Sequence, residues 1–253
     1  MNTVLAIARK EIKVYFVSPL FYIVTALFIL ITGLFFSATI ASPGASGDQS
    51  QYLRSTFTTT LFLMMLIAPL ITMRLIAQEK QDGTIELLLT QPVTDIQLIA
   101  GKYLASLVML AAMLATTLIQ VLVLLVTAVD KHKVLGLSVG SIDTASLISG
   151  YVGMILLLGG YMAIGVFASS LTGNQIIAAF VGIVAILILL IIGYAGAQTQ
   201  PPLSDFFSSV GTQSHVDNFV KGLITLPDVV YALSLNLVPL FLSVVVLGAR
   251  KWR

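Results

Sequence analysis

The chain has 253 residues, of which 58% are apolar and only 9% are charged, and its formal net charge is +2. Soluble domains carry about 25% charged residues, so a soluble fold of this length would leave too much apolar surface in water. Cysteine is absent, which excludes disulfides and thiolate metal sites, and the small net charge gives no indication of a nucleic-acid partner. The composition predicts an all-α protein that crosses the bilayer several times.

The first predicted element is an amphipathic helix over residues 4–16. On a helical wheel its apolar side chains share one arc and its cations share another. The apolar arc consists of Val4, Leu5, Ala8, Ile12, Tyr15 and Phe16, and the cationic arc of Arg9, Lys10 and Lys13. This pattern is typical of a membrane-surface helix whose cations contact anionic lipid. A simple topology anchor is a compatible alternative.

Six segments contain the roughly 20 mostly apolar residues that a membrane helix needs. Five of them carry no charged residue, and the second carries only Arg74, near its end. The first is longer than the core of a cleaved signal peptide, which favours an uncleaved span. The fourth and fifth are close enough to form a tight hairpin. The predicted spans of this single transmembrane domain are residues 20–41, 57–76, 103–128, 147–168, 175–195 and 229–249.

Six spans place both termini on one side of the membrane. If that side is the cytoplasm, nine cations lie inside and four lie outside, which satisfies the positive-inside rule. The inside set is Arg9, Lys10, Lys13, Arg74, Lys80, Lys102, Arg250, Lys251 and Arg253, and the outside set is Arg54, Lys131, Lys133 and Lys221. The charge distribution therefore predicts cytoplasmic termini.

Residues 77–98, between the second and third spans, contain several helix start and stop signals. Gly83 ends the second helix, and Thr84 is placed to cap a short helix over Ile85–Thr90. Thr94-Asp95-Ile96-Gln97 is a capping box that opens the next helix. The pattern predicts a short helix held crosswise between two membrane helices.

This short helix is more apolar than a solvated connection requires. It contains Leu87, Leu88 and Leu89, and Pro92 ends it. An apolar helix at a membrane surface indicates burial either in lipid or in the groove of a partner protein. The residues alone leave both alternatives open.

The segment 196–228, outside the membrane, contains a second amphipathic pattern. Pro201-Pro202 begins a stretch that we predict to be irregular, and Ser214 is placed to cap a helix. The apolar residues of that helix recur at helical spacing and comprise Val216, Phe219, Val220, Leu223 and Ile224. We expect this helix to lie on, or to enter, the outer leaflet.

Catalytic and nucleotide-binding motifs are absent from the sequence. Gly101-Lys102 is followed by Tyr103 and lacks the preceding glycine of a phosphate-binding loop. The two histidines, His132 and His215, lie outside the spans, which argues against a metallo- or serine-type intramembrane protease. The sequence predicts a protein that is not an enzyme and that binds no cofactor itself.

The predicted spans have only mild internal polarity and no charged relay of the kind that ion-coupled transporters use. Four residues either line a path or form hydrogen bonds between helices, of which the second use is commoner. They are Thr116, Thr117, Gln120 and Asn236. Small residues in the fourth span predict close helix packing, and they are Gly159, Gly160, Ala163 and Gly165. Energy for transport would have to come from outside the chain.

Three segments, in compatible order, carry a family resemblance. Arg74-x4-Glu79-x3-Gly83-Thr84-x-Glu86-x-Leu88-Leu89-x2-Pro92, followed by Gly101-Lys102, resembles the signature of type-2 ABC exporter permeases. Two further segments resemble the gliding-motility branch of that family. These are Lys10-Glu11 through Ser18-Pro19-Leu20 to Gly33-Leu34-Phe35-Phe36, and His215-x3-Phe219-x2-Gly222 with Asp228-x2-Tyr231 and the basic residues 250–253.

The resemblance implies a role for each unusual segment. Residues 4–16 would be the connecting helix, Ile85–Thr90 would be the coupling helix in a groove of the ATPase, and the helix after Ser214 would close the exit. The implied coupling residues are Glu79, Asp82, Gly83, Thr84, Ile85, Glu86, Leu87, Leu88, Leu89 and Pro92. The implied external gate residues are His215, Phe219, Gly222, Asp228 and Tyr231.

The resemblance also implies the partners of the chain. Two permease subunits, identical or different, would pair with two ABC ATPase subunits that bind MgATP, in a bacterial cytoplasmic (inner) membrane. Members of the branch often work with an extracytoplasmic accessory subunit. The alternatives are an ATP-independent channel or secondary transporter, a membrane-embedded enzyme and an accessory membrane subunit. No motif identifies the cargo.

Overall fold

A computed structural model of the chain describes residues 3–41, 49–85, 93–129, 144–196, 200 and 203–250. These parts of the chain are helical and contain no strand. The described helices are α1 (Thr3–Val17), α2 (Pro19–Ala41), α3 (Gln49–Thr72), α4 (Arg74–Gln81), α5 (Asp95–Val129), α6 (Thr144–Leu171), α7 (Gln175–Gly196), α8 (Leu203–Val210), α9 (Thr212–Val220) and α10 (Leu226–Arg250).

Six helical stretches are long and apolar enough to cross a membrane, which confirms the predicted all-α polytopic class. They are Pro19–Ala41, Tyr52–Gln81, Asp95–Val123, Ser146–Leu171, Gln175–Ala195 and Leu226–Ala249. α1 and α4 lie at one end of the bundle, called here the α1 end, and α8 and α9 lie at the opposite end, called the α9 end.

Two predicted helix boundaries are confirmed in detail. The Thr94 amide donates to Gln97 Oε1 over 3.2 Å and the Gln97 amide donates to Thr94 Oγ1 over 3.3 Å, so the capping box is formed. α5 therefore begins at Asp95, well before the apolar run at 103. The tight hairpin between α6 and α7 is also present, since Asn174 Oδ1 caps α7 by accepting the Ile176 amide at 2.9 Å.

α6 is the central helix of the bundle. In its most apolar window 78% of the residues are buried, against 17% in α2 and in α10. It packs against α3, α10, α7, α9 and α5. Because α6 contacts elements at both ends of the bundle, it forms the axis on which the other helices are arranged.

α3 runs parallel to α6 in a constant register. Gly150 faces Phe57 and Gly165 faces Thr72, and both pairs are separated by 93 residues, as is the hydrogen-bonded pair Ile76 and Ser169. A constant separation is the signature of parallel helices, because antiparallel neighbours would keep a constant sum instead.

Glycines on α6 admit the side chains of its neighbours, as predicted for this span. A Cβ at Gly160 would overlap Leu235 of α10, and one at Gly159 would lie 2.8 Å from Asn236 Oδ1. Ala163 is fully buried. Close approach of backbones is how helices associate where lipid removes the usual hydrophobic driving force.

Only part of the apolar arc of α1 packs against the bundle. Ala8 and Tyr15 are buried, but Leu5 and Phe16 are each 42% exposed. α1 packs on α5 through Ile7, because Gly101 lets the two backbones approach. The packed face therefore includes Ile7, which is not part of the arc. Leu5 and Phe16, at the edge of the arc next to Arg9, are left exposed.

The segment at the α9 end also departs from the prediction. Residues 203–210 form helix α8 where an irregular stretch was expected, and α9 begins after Gly211 and not after Ser214. Gly222 adopts φ +78 and ends the helical path, so Leu223 and Ile224 lie outside α9 and are exposed. The predicted apolar stripe included these two residues because their spacing is helical, but the helix ends before them.

We expect Gly153→Ala to destabilise the bundle, because a Cβ at Gly153 would overlap both the ring and the Cβ of Phe219. Overpacking of this kind costs about 1–3 kcal/mol, so the thermal unfolding midpoint of the detergent-solubilised chain should fall. Gly33→Ala is the matched control, since no atom lies within 4 Å of its added Cβ. Equal midpoints for the two variants would contradict close packing at Gly153.

Candidate functional site

The predicted coupling segment leaves α4 through a tight turn. The Asp82 amide donates to the Gln78 carbonyl and Gly83 adopts φ +70, a left-handed conformation that glycine accommodates. Thr84 and Ile85 are helical, and the Ile85 side chain is buried. The Thr84 hydroxyl donates to the Glu79 carbonyl over 3.3 Å, and its role as a cap stays a prediction. The predicted coupling residues Glu86, Leu87, Leu88, Leu89 and Pro92 lie outside the described residues.

A buried cation joins the helices on both sides of this segment. Lys102 Nζ of α5 lies 2.9 Å from Glu11 Oε1 of α1 and 2.7 Å from Glu79 Oε1 of α4. The Lys102 side chain is 1% exposed, and those of Glu11 and Glu79 are 12% and 14% exposed. We call these three residues the ion triad. It fixes α1 and α4 to the start of α5.

The ion triad carries one positive and two negative charges. Its Glu79 Oε2 is buried and has no hydrogen-bond partner among the described residues. A cavity of about 330 Å³ opens beside it and is lined by both apolar and charged residues. The lining residues are Thr3, Ala6, Ile7, Lys10, Glu11, Glu79, Val93, Leu98 and Lys102.

The helical hydrogen-bond ladder between α3 and α4 is interrupted at Met73 by a side chain of α6. Ser169 Oγ donates to the Met73 carbonyl over 2.7 Å and accepts the amides of Ile76 and Ala77 at 3.1 and 3.0 Å. A hydroxyl inserted in this way satisfies backbone groups that the interruption would leave unpaired. One serine hydroxyl of α6 therefore holds the beginning of α4.

A second side chain, from α1, supports the same interruption. Tyr15 Oη donates to the Ile71 carbonyl over 2.6 Å, and the Arg74 guanidinium lies 4.3 Å from the centre of the Tyr15 ring. Burial raises the pKa of the Tyr15 phenol above its ordinary value of 10, despite the opposing effect of Arg74. The phenol thus remains a neutral donor. Arg74 also donates to Ser18 Oγ over 3.1 Å.

Sequence reasoning found part of this junction. It singled out Glu79 and the pair Gly101-Lys102, but it gave no role to Ser169 or to Lys80, which donates to the Ser170 carbonyl. The pair Gly101-Lys102 was the feature of the sequence that indicated this junction. The glycine admits α1, since a Cβ at this position would lie 2.8 Å from Ile7 Cβ, and the lysine meets the α1 carboxylate.

Among the four predicted path residues, two connect helices. Thr117 bonds to Tyr151 Oη at 2.8 Å, and Asn236 donates to the Leu156 carbonyl over 2.8 Å while accepting the Tyr103 hydroxyl. Thr116 bonds within its own helix, to the Met113 carbonyl at 2.6 Å. Gln120 is buried with no described partner for Oε1. The contacts of Thr117 and Asn236 match the helix-packing alternative, and a path-lining role for all four stays a prediction.

The predicted gate residues come together at the α9 end. His215 Nδ1 lies 2.5 Å from Asp228 Oδ1, and the His215 ring stacks on the Tyr231 ring with centroids 4.1 Å apart. Phe219 packs against Gly153 of α6, and Gly222 faces Ser146, also of α6. The spacing of these residues in the sequence therefore corresponds to one spatial cluster.

Six apolar helices, a charged junction at one end and a buried polar cluster at the other define a multi-pass membrane protein. The chain belongs to the ABC-2 family of transporter proteins: the family model described as ABC-2 family transporter protein matches residues 5–252. It is thus the membrane permease subunit of an ABC transporter, a class that dimerises and works with an ABC ATPase. No curated protein matches the sequence.

Ser169→Ala tests the attachment of α4. Removing the hydroxyl leaves the Met73 carbonyl and two amides without their partner, and each unsatisfied buried group costs about 1–3 kcal/mol. We expect a lower thermal unfolding midpoint and faster hydrogen exchange over residues 74–81. Ser170→Ala is the matched control, since Ser170 Oγ bonds only to the Phe167 carbonyl of its own helix in the described structure. Identical behaviour of the two variants would show that Ser169 does not hold α4.

Proposed function

We propose that this permease exports cargo across the bacterial cytoplasmic membrane by alternating access. The observation that carries the proposal is the ion triad, in a chain that belongs to the ABC-2 family. It joins α4, which precedes the predicted coupling segment, to α5, which follows it. It also connects α1 to both helices. The excess of cations at this end supports cytoplasmic termini.

In the proposed mechanism two permease copies, identical or different, pair with two ATPase subunits that bind MgATP. Closure of the ATPase dimer displaces the coupling helix, Ile85–Thr90. Because a displacement is productive only if the two states differ in contacts, the segment must be held differently before and after closure. The ion triad supplies such contacts, since its bonds cross three separate helices.

The proposed displacement continues through α4 into the bundle. α4 is short and its ladder is interrupted at Met73, so it has a natural pivot. Ser169 and Lys80 connect it to α6. At its other end α6 contacts α9, through Ser149 Oγ, which donates to the Phe219 carbonyl over 2.7 Å. One helix thus links the proposed coupling helix with the proposed exit gate.

The gliding-motility branch is the part of the family that we propose for this chain. Its basis is the resemblance at both ends of the sequence, over residues 10–36 and 215–253. The residues of the second segment include the cluster of His215, Asp228 and Tyr231. Membership of this branch would add an extracytoplasmic accessory subunit to the complex.

Leu88→Asp tests the coupling helix in the reconstituted complex with its ATPase. A carboxylate in an apolar groove is costly to desolvate, so we expect loss of permease-stimulated ATP hydrolysis and of ATP-driven transport, with an unchanged unfolding midpoint. Leu223→Asp is the control, because it makes the same change at an exposed position of the α9 end.

Two results would contradict this assignment. Stimulation that survives Leu88→Asp would remove the coupling role of residues 85–90. Transport by the purified chain in liposomes without ATP would favour a channel or a secondary transporter.

Lys102→Met tests whether the ion triad transmits the displacement of the coupling helix without contributing to ATPase binding. The variant leaves two partly buried carboxylates without their shared cation, which favours their separation. We expect the ATPase to bind normally while its stimulated hydrolysis falls to the rate of the ATPase alone. Lys13→Met, which removes an exposed cation of α1, is the matched control. An equal loss in both variants, or full stimulation with Lys102→Met, would show that the triad transmits nothing.

A further inference from the structure

A buried histidine ties three helices together at the α9 end. His215 belongs to α9 and is 6% exposed, and its partner Asp228, in the first turn of α10, is 1% exposed. The His215 Nε2 atom points in the other direction, to the Ser209 carbonyl of α8 at 3.3 Å. The imidazole ring therefore bridges α8 and α10 from α9.

Two further side chains donate hydrogen bonds to Asp228. Thr225 Oγ1 donates to Oδ2 over 2.6 Å, and Asn218 Nδ2 lies 3.2 Å from both carboxylate oxygens. With these donors around it the carboxyl group is stabilised in its ionised form, which is an acceptor only. The group facing it at 2.5 Å, His215 Nδ1, must then carry a hydrogen.

The second ring nitrogen faces the same requirement. A backbone carbonyl is also an acceptor only, so the bond from Nε2 to Ser209 needs a hydrogen on Nε2. A neutral imidazole carries one N–H, and only the imidazolium carries two. Both of its contacts are satisfied at once only when His215 is protonated.

The other ionisable groups around this ring do not replace its charge. Tyr231 of α10 stacks on the ring, and its phenol donates to the Val210 carbonyl over 2.9 Å. Tyr161 of α6 lies beside Tyr231. Asp217 of α9 is paired with Arg54 of α3 at 2.9 Å. Within the described part of this region, His215 is the cation that faces Asp228.

We propose that His215 is a protonation-dependent latch that holds α9 against α8 and α10. With the proton in place, the imidazolium binds both neighbours. As pH rises and the ring loses one proton, one of the two bonds is replaced by a contact between lone pairs, and the ion pair with Asp228 is lost. The stabilisation of the docked α9 is therefore present at lower pH and is lost as pH rises.

The latch has a consequence for the transporter if α9 closes the exit. Phe219, which fills the space over Gly153, is on the same short helix and would move with it. Loss of the proton would favour the open exit. This gate role rests on the proposed function, whereas the dependence of α9 docking on His215 protonation does not.

The protonation state is measured directly in the full chain with ¹⁵N-labelled histidine in lipid nanodiscs. His132→Gln leaves His215 as the one histidine, because the sequence has two. We expect the ¹⁵N shifts of an imidazolium, with both nitrogens protonated, at pH 6.5. Asp228→Asn should convert the spectrum to that of a neutral ring. A neutral tautomer at pH 6.5 in the otherwise unaltered chain would overturn the proposal.

Docking of α9 is measured by thiol labelling, which the absence of cysteine makes specific. Val216→Cys places a thiol at a position that is 1% exposed, and Leu223→Cys places one at a position that is 54% exposed and corrects for the intrinsic pH dependence of thiols. We expect the ratio of their labelling rates to rise severalfold from pH 6 to pH 9. With His215→Gln the ratio should be high and independent of pH.

With His215 in place, a ratio of labelling rates that stays constant from pH 6 to pH 9 and equals the ratio with His215→Gln would overturn the latch. Since neither measurement involves the ATPase or transport, a failure here leaves the proposed coupling intact. Failure of the Leu88→Asp experiment would likewise leave these two results standing.

Discussion

Lys102 is an ammonium group removed from water at the end of an apolar bundle, and the rest of the α1 end is organised around the need to compensate that charge. The uncompensated cost of burying such an ion is several kcal/mol. Glu11 and Glu79 offset it, but only while α1 and α4 keep their places beside α5. The triad therefore makes the positions of three helices interdependent. The predicted coupling segment lies between two of them, α4 and α5.

The bundle reaches from this junction to the opposite end through α6. Glycines on that helix make room for the side chains of its neighbours, and serines near its two ends bond to the backbones of other elements. Ser169 holds α4 and Ser149 holds the end of α9. In lipid, where apolar burial gives helices little reason to associate, such packing and hydrogen bonds supply the attraction. They also give the two ends of the protein a direct mechanical connection.

The two ends use buried charge in different ways. At the α1 end the cation is a lysine between two carboxylates. At the α9 end the group that faces the carboxylate is a histidine, and each of its ring nitrogens faces an acceptor. Its carboxylate partner is held by Asn218 and Thr225. In the proposed latch, only the second arrangement releases its helix when a proton is lost. That difference fits a lever at one end and a gate at the other.

The sequence by itself determined the membrane class, the six spans and the capping box at Thr94, because hydropathy and local capping depend on residues close together in the chain. It also indicated Glu79, Gly101 and Lys102 through a family pattern. Only the tertiary structure decided that Lys102 meets Glu11, that Ser169 enters the α3–α4 ladder and that His215 faces acceptors on both sides. These contacts join residues from 6 to 96 positions apart, and the separations above 90 positions lie beyond any local pattern. The same reason explains why the sequence does not say which residues of α1 pack against protein: that depends on where α5 lies.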